Sequence, residues 1–422
     1  MKIIIIGGGF AGINLAKALG NNKNFEVTLV DKNNYYFFPP LIYQVATAFL
    51  EPSSISYPFR KLFASRSNVS FRLGELQQIV PSENKIILNN GECSYDVLVV
   101  STGAETNYFG MENVRQNAIP MKTLSDALAM RNRLLEQMEQ ATIMSDPALI
   151  KSLLTVVIAG GGPTGVEVAG MLAEMKSGIF RKEYPKLTGT GGEIILVDGS
   201  PAVLGPMSTQ SQQDTYDALS KLGVKIILNT NVKDFAGDVV TLSTGETITS
   251  RNLIWAAGVT AKSFEGIPAE SYGRGKRLLV NEYNAVKGFE NIYALGDTSY
   301  QLTDPNFPNG HPQVAQVAIQ QGKNLARNLE AAIDGKALKP FLYNDKGSMA
   351  IIGKNKAVVD LPKPKLHFRG FFAWLIWLFI HLMSLVSFRN KLRTFYNWVV
   401  AYFSKDQSLR MIIRPAPRKS LP

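Results

Sequence analysis

Two short stretches carry residue types and spacings suited to nucleotide chemistry. In KIIIIGGGFAGINLAKAL, Gly7, Gly9 and Gly12 follow an apolar run and open a helical pattern. The strand-like FEVTLVD then delivers Asp31 nineteen residues after Gly12. Each part has its own task. Gly7 permits a tight turn, Gly9 lets the backbone approach a pyrophosphate, and Gly12 lets the following helix pack close on a sheet. The helix N-terminus faces the phosphates with unpaired N–H groups. An acid at the next strand end accepts hydrogen bonds from a ribose 2′-hydroxyl and repels a 2′-phosphate. The same grammar returns in TVVIAGGGPTGVEVAGMLAEM, with Gly160, Gly162 and Gly165, and EIILVD ends in Asp198. The interval from Gly165 to Asp198 exceeds the usual ~20 residues. The surplus around KEYPKLTGTGGE therefore reads as an insertion before that strand.

Each turn needs a strand before it and a strand–helix unit around it. YDVLVVSTGAETNYFG is a strand running into a Thr102-Gly103 turn, and NIYALGD is a strand ending at Gly296-Asp297 before a helix. LIWAAGV, Leu253–Val259, is the matching strand and turn on the second side. Two adenine-dinucleotide sites in one chain imply one dinucleotide held permanently and one exchanged. That is the organisation of flavin-dependent pyridine-nucleotide oxidoreductases, with FAD at the N-terminal site and NAD in an inserted domain. The expected fold is α/β: two Rossmann-like domains, the FAD domain discontinuous, plus a C-terminal amphipathic membrane-docking helical segment. The expected boundaries are 1–117 and 285–345 for the FAD domain, 118–284 for the NADH domain, and 346–422 for the C-terminal region.

Composition narrows the chemistry further. At 422 residues two or three domains are expected. The single cysteine, Cys93, excludes an internal disulfide framework, a cysteine-based metal cluster and a two-cysteine redox pair within the chain. Disulfide reductases and sulfide:quinone reductases need at least two cysteines, so both branches fail. No metal site is expected. The start, MKIIIIGGGFAG, lacks the pattern of a signal peptide, so the catalytic part is expected to stay in the cytosol.

The net charge of +11 is concentrated: residues 363–422 carry +10 of it, with Asp406 their one acid. Trp374, Trp377 and Trp398 lie in the same region, which favours an anionic membrane over nucleic acid as the partner. Phe371 to Phe388 contains no Asp, Glu, Lys or Arg. As one helix it would measure about 27 Å, just under a ~30 Å hydrocarbon core. Three features favour lying on the membrane over crossing it. Gly370, Ala373, Trp377, His381, Ser384 and Ser387 form a weakly polar stripe that could rest on the protein itself. Leu392, Phe395, Tyr396, Val399, Val400 and Phe403 recur at helical spacing opposite Asn390, Thr394, Asn397, Ala401 and Ser404, as in an interfacial helix. Basic residues flank the apolar run on both sides, and a single crossing would strand one cluster on the far side.

NNYYFFPPLIYQVATAFLEPSSISYPFR (Asn33–Arg60), GAETNYFG, GGGPTGVEVAG, AQVAIQQG and GSMAIIGKNKAV resemble the type II NADH dehydrogenases, single-subunit NADH:quinone oxidoreductases that pump no protons. The resemblance spans nearly the whole chain and departs at Tyr36, where His is more frequent, and at Asp198, where Glu is. It implies that Gly7, Gly9, Gly12, Asp31, Lys32, Thr47, Leu76, Thr102, Gly103 and Asp297 surround FAD. Gly160, Gly162, Thr164, Gly165, Glu167, Asp198 and Gly258 would receive NADH. Gln316, Gln320 and Ile352 would line the quinone site, the two amides sharing one helix face through their i, i+4 spacing.

Quinol formation needs protons, and Glu167, placed in the first turn of the second nucleotide-binding helix, is the candidate donor. An acid there also suits a helix N-terminus without any catalytic task. His311 could relay protons, although a loop histidine without an identified partner is more often incidental. The implied partners are a membrane quinone, a membrane surface met by the C-terminal helices and a second copy of the chain, with no nucleic acid. The implied location is the cytoplasmic face of the cell membrane, as a peripheral, monotopic protein. Two other readings stand beside this one: an NADH-dependent reductase of a soluble carrier such as rubredoxin, and a flavin-stabilised DNA-binding protein using the basic tail.

Overall fold

The computed structural model describes residues 1–404 and 409–413. Residues 405–408 and 414–422, which hold part of the basic tail, lie outside the described residues. The chain divides into two compact units. The first comprises Met1–Phe37, Ser56–Glu105 and Val259–Lys346, and the second Phe38–Ile55, Thr106–Gly258 and Gly347–Pro422.

In the first unit, four consecutive isoleucines make Lys2–Ile6 the centre of a five-stranded parallel sheet. Its order is Ile292–Ala294, Val97–Val100, Lys2–Ile6, Glu26–Asp31, Val69–Leu73. Ile3 to Ile6 are all buried, as expected of a parallel strand covered on both faces. Helix Phe10–Leu19 buries Ile13, Leu15, Ala16 and Leu19 and lies on helix Ala315–Ile333. The two helices meet closely at Gly322, where a Cβ would approach the Ala11 carbonyl oxygen to 2.6 Å. A three-stranded antiparallel sheet, Leu76–Val80, Lys85–Leu88 and Gly91–Ser94, carries Cys93, whose Sγ accepts from Arg72 Nη1 at 2.8 Å.

The second unit repeats the plan. Its parallel sheet runs Ile119–Pro120, Asn252–Trp255, Val156–Ala159, Ile194–Val197, Val224–Ile227. It too carries an antiparallel sheet, Val232–Ala236, Val239–Leu242 and Thr247–Thr249. A further antiparallel sheet, Ser348–Gly353, Lys356–Pro362 and Lys365–Arg369, leads into the C-terminal helices.

The chain crosses between units at 105/106 and 258/259, not at 117/118 and 284/285. Core membership explains the shift. Tyr108, Met111 and Val114 pack into the apolar core of the second unit. Phe264, Ile267, Leu278 and Val280 pack into that of the first. Residues 347–422 and 38–55 likewise belong with the second unit instead of standing alone or with the FAD domain.

The apolar run from Phe371 to Phe388 does not form one helix. Gly370–Ser384 is helical, Leu385 turns to extended backbone, and Phe388–Ser404 forms a second helix. Among the described residues no helix is long and apolar enough to cross a membrane. Ala373 and Trp377 are fully buried, so the weakly polar stripe rests on the protein at these two positions, while Ser384 is exposed. Trp377 stacks on His381, ring centroids 3.8 Å apart, and meets the Tyr43 ring at 6.4 Å. Burial lowers the His381 pKa to about 4, so the imidazole is neutral at physiological pH.

The second helix is turned inside out relative to a soluble amphipathic helix. Asn390, Thr394 and Trp398 point inward. Trp398 Nε1 donates to Gln44 Oε1 at 2.8 Å, and Arg393 Nη1 to Ser53 Oγ at 3.1 Å. Leu392, Phe395, Tyr396, Val399, Val400 and Phe403 point outward, Phe403 being 78% exposed.

Candidate active site

The first glycine turn is built as its spacing requires. Gly7 has φ +98°, a left-handed conformation that glycine adopts freely. A Cβ on Gly12 would land on the Gly7 carbonyl oxygen, so the helix packs onto its own turn more tightly than onto the sheet. A Cβ on Gly9 would meet nothing within 4 Å. The space beside Gly9 is open where a pyrophosphate would lie against the helix N-terminus. Asp31 Oδ2 accepts from Gly8 N at 2.7 Å and Oδ1 from Asn33 N at 2.7 Å, which fixes the carboxylate beside the turn. Burial pushes its pKa up against those two hydrogen bonds.

Thr298 ties the remaining first-unit candidates together. Its Oγ1 lies 3.3 Å from Thr102 Oγ1 and accepts from Gly103 N at 3.1 Å, joining that turn to Gly296–Thr298, where Asp297 sits. Gln321, fully buried, accepts from Gly296 N at 2.6 Å through Oε1. Neither Thr298 nor Gln321 was singled out from sequence. A Thr directly after Gly-Asp, and a third Gln beside Gln320, were the available signals. Lys32 is exposed next to Asp31, and Leu76 is a core residue whose side chain faces the apolar cluster. An open cradle at Gly9, a fixed acid at Asp31 and a cross-linked turn at Thr102-Gly103 fit an adenine dinucleotide.

The second turn is a near copy. Gly160 has φ +109°, a Cβ on Gly165 would land on the Gly160 carbonyl oxygen, and Gly162 is open. Asp198 accepts from Gly161 N through Oδ2 and from Ser200 N through Oδ1. Thr164 is half-buried in the opening turn of helix Pro163–Met175. At Gly258 a Cβ would come within 2.7 Å of the Phe109 ring. Asn107 fixes that approach: its N–H donates to Gly258 O at 3.1 Å, and its carbonyl accepts from Trp255 Nε1 at 2.8 Å. The surplus before Asp198 is a π-helical turn, Lys176–Phe180, then short helices and a glycine-rich loop to Gly192.

Glu167 lies just past the first turn of its helix, which begins at Pro163, not within it as the sequence suggested. An electrostatic role at the helix N-terminus is thereby removed, because the dipole's effect fades after the first turn. The side chain faces a cavity of about 230 Å³. Its walls include Tyr43, Met171, Glu174, Ile352, Trp374 and Trp398. Burial pushes the Glu167 pKa well above the ordinary carboxylate range, and the Ile351 N–H bond opposes only part of that rise. Glu167 therefore holds a proton where an exposed glutamate would have lost it. Ile352 borders the same cavity. Thr47, buried with Oγ1 donating to Tyr43 O at 2.8 Å, belongs to the same unit. A second cavity of about 350 Å³, lined by Leu134, Leu153, Leu172 and Phe180 among others, touches no sequence candidate.

Gln316 and Gln320 share a face of helix Ala315–Ile333, as their spacing requires. Segment 343–346 meets both: Gln320 exchanges hydrogen bonds with the Asn344 backbone at 2.9 and 3.1 Å, and Gln316 Oε1 accepts from Lys346 N at 3.2 Å. His311 is a framework residue. Its Nε2 lies 2.9 Å from Asp304 Oδ2, both side chains are almost wholly buried, and Phe307, Phe341 and Tyr343 surround the ring.

Residues 1–322 match the pyridine nucleotide-disulphide oxidoreductase family, and residues 346–411 match the NDH2 C-terminal domain. The chain is 35% identical over 420 residues to the type II NADH:quinone oxidoreductase Ndh of Mycobacterium tuberculosis, covering 96% of this chain and 88% of that one. The chain belongs to the type II NADH:quinone oxidoreductases. As a member of that family it is an FAD enzyme that oxidises NADH and reduces a quinone. NdhA of the same organism is 34% identical, covering 96% of this chain and 87% of that one. The fold is that of NDH2 from Plasmodium falciparum, solved in complex with NADH: TM-score 0.89 at 21% identity, over 98% of this chain and 99% of that one.

Proposed function

We propose that the quinone is reduced at the cavity of the second unit, with Glu167 as its proton donor, and that the C-terminal helices hold this cavity against a lipid surface. One observation carries the reading. The cavity faced by Glu167, whose pKa is pushed up by desolvation, is walled by Trp374, Leu378, Trp398, Ala401 and Tyr402 of the two C-terminal helices, whose outer faces are apolar. An apolar substrate partitioned into lipid would meet those helices first.

The turn at Gly7, Gly9 and Gly12 with Asp31, Thr102, Gly103 and Asp297 would hold FAD. The turn at Gly160, Gly162 and Gly165 with Thr164, Asp198 and Gly258 would take NADH. When bound, FAD supplies the two-electron relay between NADH and the quinone. The chain's own contribution is to orient both dinucleotides, exclude water from the cavity and keep a proton on Glu167 until the quinone needs it. Ile352, on the wall of that cavity, would position the quinone ring. Peripheral attachment at the cytoplasmic face and a homodimer complete the reading.

The test uses the full chain carrying Leu392→Asp, Phe395→Asp and Phe403→Asp. All three positions are more than half exposed, so the fold is spared. The variant should fail to float with liposomes and should reduce liposomal ubiquinone or menaquinone at least ~10-fold more slowly, each buried apolar side chain being worth about 1.5–3 kcal/mol. It should keep its full rate with a short-chain, water-soluble quinone. A variant that still floats and still reduces lipid quinone would remove the docking role.

A further inference from the structure

The face of helix Pro163–Met175 that meets strand Ser348–Gly353 carries two carboxylates, Glu167 and Glu174, seven residues or about two turns apart. Glu167 accepts from the Ile351 N–H. Glu174 Oε1 accepts from the Lys354 N–H at 2.6 Å. Between them Gly170 abuts the strand with no side chain: a Cβ there would land on the Ile352 carbonyl oxygen. Both carboxylates border the same cavity. Both also have pKa values raised by burial, Glu174 against the Lys354 N–H bond and the charges of Lys356 and Lys354.

A third group connects them. Tyr43 borders the cavity and is almost wholly buried. Its own pKa is raised by burial first and then by the charges of Glu167 and Glu174, so its hydroxyl lies within electrostatic reach of both carboxylates. The hydroxyl oxygen accepts from Gln44 Nε2 at 2.8 Å, and Gln44 Oε1 in turn accepts from Trp398 Nε1. That arrangement fixes the phenol and leaves its O–H to donate. Glu174 stands at the end of the face where Lys354 and Lys356 approach. Lys354 is itself anchored, its Nζ 2.8 Å from Tyr402 O and 4.0 Å from the Tyr402 ring centroid.

We propose that Glu174 is the outer station of a proton path that runs through the Tyr43 hydroxyl to Glu167. The proposal deepens the quinone-site reading of the cavity and rests on it. The overall reaction, NADH + H⁺ + quinone → NAD⁺ + quinol, takes one proton from solvent per turnover. The Glu167 carboxyl gives its proton to a quinone oxygen, breaking one O–H bond and forming another. The carboxylate left behind takes the Tyr43 proton while Tyr43 takes that of Glu174, and water re-protonates Glu174. No electrons move in the relay. Two carboxylates and a phenol on the wall of one cavity suit this task, because desolvation there favours the protonated form of each. Capping the Lys354 N–H alone needs an acceptor oxygen but no titratable proton, which separates the two roles.

The experiment compares full-length, FAD-loaded wild type with Glu174→Gln, Glu174→Asp and Tyr43→Phe from pH 5.5 to 9, using a water-soluble ubiquinone analogue and, separately, ferricyanide, which accepts electrons without protons. Gln keeps the acceptor for the Lys354 N–H, and Phe keeps the Tyr43 ring. Glu174→Gln and Tyr43→Phe should each lower kcat for the quinone roughly tenfold. The loss should deepen as pH rises, with flavin content, KM for NADH and the ferricyanide rate unchanged, and Glu174→Asp should restore most of the rate. Wild-type kcat and pH profile in Glu174→Gln would overturn the path and leave Glu174 as a backbone cap. Met171→Trp, which fills the cavity, tests the underlying reading. If it leaves KM for the quinone unchanged, the quinone does not bind there and the path falls with the site. A raised KM with an unaffected Glu174→Gln sinks the path alone.

Discussion

The two glycine turns are nearly superimposable in chemistry and differ in what their helices do. Each has a left-handed first glycine, an open second glycine, a third glycine pressed on the first one's carbonyl, and an acid bonded to the turn. Two residues past the third glycine, the first unit places Asn14 and the second places Glu167. Asn14 spends its amide on its own helix, Nδ2 to Phe10 O at 2.8 Å. Glu167 faces a cavity, and desolvation pushes its pKa well above the ordinary carboxylate range. The first helix is otherwise an apolar wedge against Ala315–Ile333, whereas the second lies on strand Ser348–Gly353 and carries Glu174 as well. On the proposed assignment, one copy of the unit would hold a dinucleotide and the other would accept one beside reactive groups.

The largest expected effects come from the third glycines, where any Cβ meets a backbone oxygen. Overpacking of this kind costs about 1–3 kcal/mol and displaces the turn. Gly12→Ala should yield a colourless protein that has lost FAD and with it all activity. Gly165→Ala should purify yellow, retain flavin absorbance and fail to be reduced by NADH at concentrations saturating for wild type. If both variants lose flavin, the two turns do not divide the dinucleotides in this way.

Next in size is the pair that distinguishes the helices. Glu167→Gln should reduce kcat for the quinone by about 10²-fold, a typical loss for a general acid, while Asn14→Asp changes it less than about twofold. The same substitution should show in stability. Folded Glu167 keeps a proton that the unfolded chain releases above the ordinary carboxylate range, so wild type loses stability as pH rises from that range toward the raised folded value. Glu167→Gln should therefore melt higher than wild type at pH 8, and the gap should close near pH 4. Equal melting temperatures at both pH values would mean that Glu167 is ionised in the folded protein.

Much of this was legible in the residues themselves. Both turns, both acids and the repeated strand–turn–helix units follow a short local spacing, although what a Cβ would meet at Gly7 and Gly160, the Ser101 and Ala256 carbonyls, lies far off in sequence. The outward apolar face of helix Phe388–Ser404 was legible because its apolar positions recur at helical spacing. Long-range packing hid the rest. Tyr43, Gln44 and Trp398 come from opposite ends of the chain and meet only because Thr394 and Trp398 turn their helix's polar side inward. Glu174 is one acid in MLAEM; its seven-residue spacing puts it on the helix face of Glu167, but the cavity both border is closed by residues distant in sequence. The domain crossovers were displaced for the same reason: whether Val114 or Phe264 belongs to one core or the other is decided by partners distant in sequence.

A smaller effect sharpens the comparison of the acids. Asp198 is held beside Gly161, and on the proposed assignment it would accept from a ribose 2′-hydroxyl and repel a 2′-phosphate. Asp198→Ser should narrow the preference for NADH over NADPH by roughly tenfold in kcat/KM, a change of about 1.4 kcal/mol. Asp31→Ser should alter flavin retention and leave the NADH to NADPH ratio unchanged. A shift in that ratio from Asp31→Ser would assign the exchanged dinucleotide to the wrong turn.

The last effect, on stability and scarcely on turnover, concerns a histidine of the second unit held between two carboxylates. His367, on the strand that leads into the first C-terminal helix, lies between Asp214 and Asp360, Nε2 2.9 Å from one and Nδ1 3.0 Å from the other. Arg369 joins Asp214 at 2.9 Å, and Ser208 and Ser211 donate to Asp360. Burial alone would lower the His367 pKa, but the two carboxylates outweigh it and raise it. The aspartates are held below their ordinary range, where His367 and Arg369 outweigh burial for Asp214, and the Ser208 N–H, His367 and the serines do so for Asp360. The signs define a window. The raised imidazole gives its full contribution below pH about 6.5 and loses it as pH climbs through the folded value. The depressed carboxylates give theirs above pH about 4 and lose it on acidification. His367→Gln should therefore destabilise by about 2 kcal/mol at pH 5–6 and by less at pH 9, read by urea melts at each pH. Flavin reduction by NADH should stay within twofold of wild type. A loss that is the same at pH 5.5 and pH 9 would show that His367 is neutral between its aspartates and packs there without its charge.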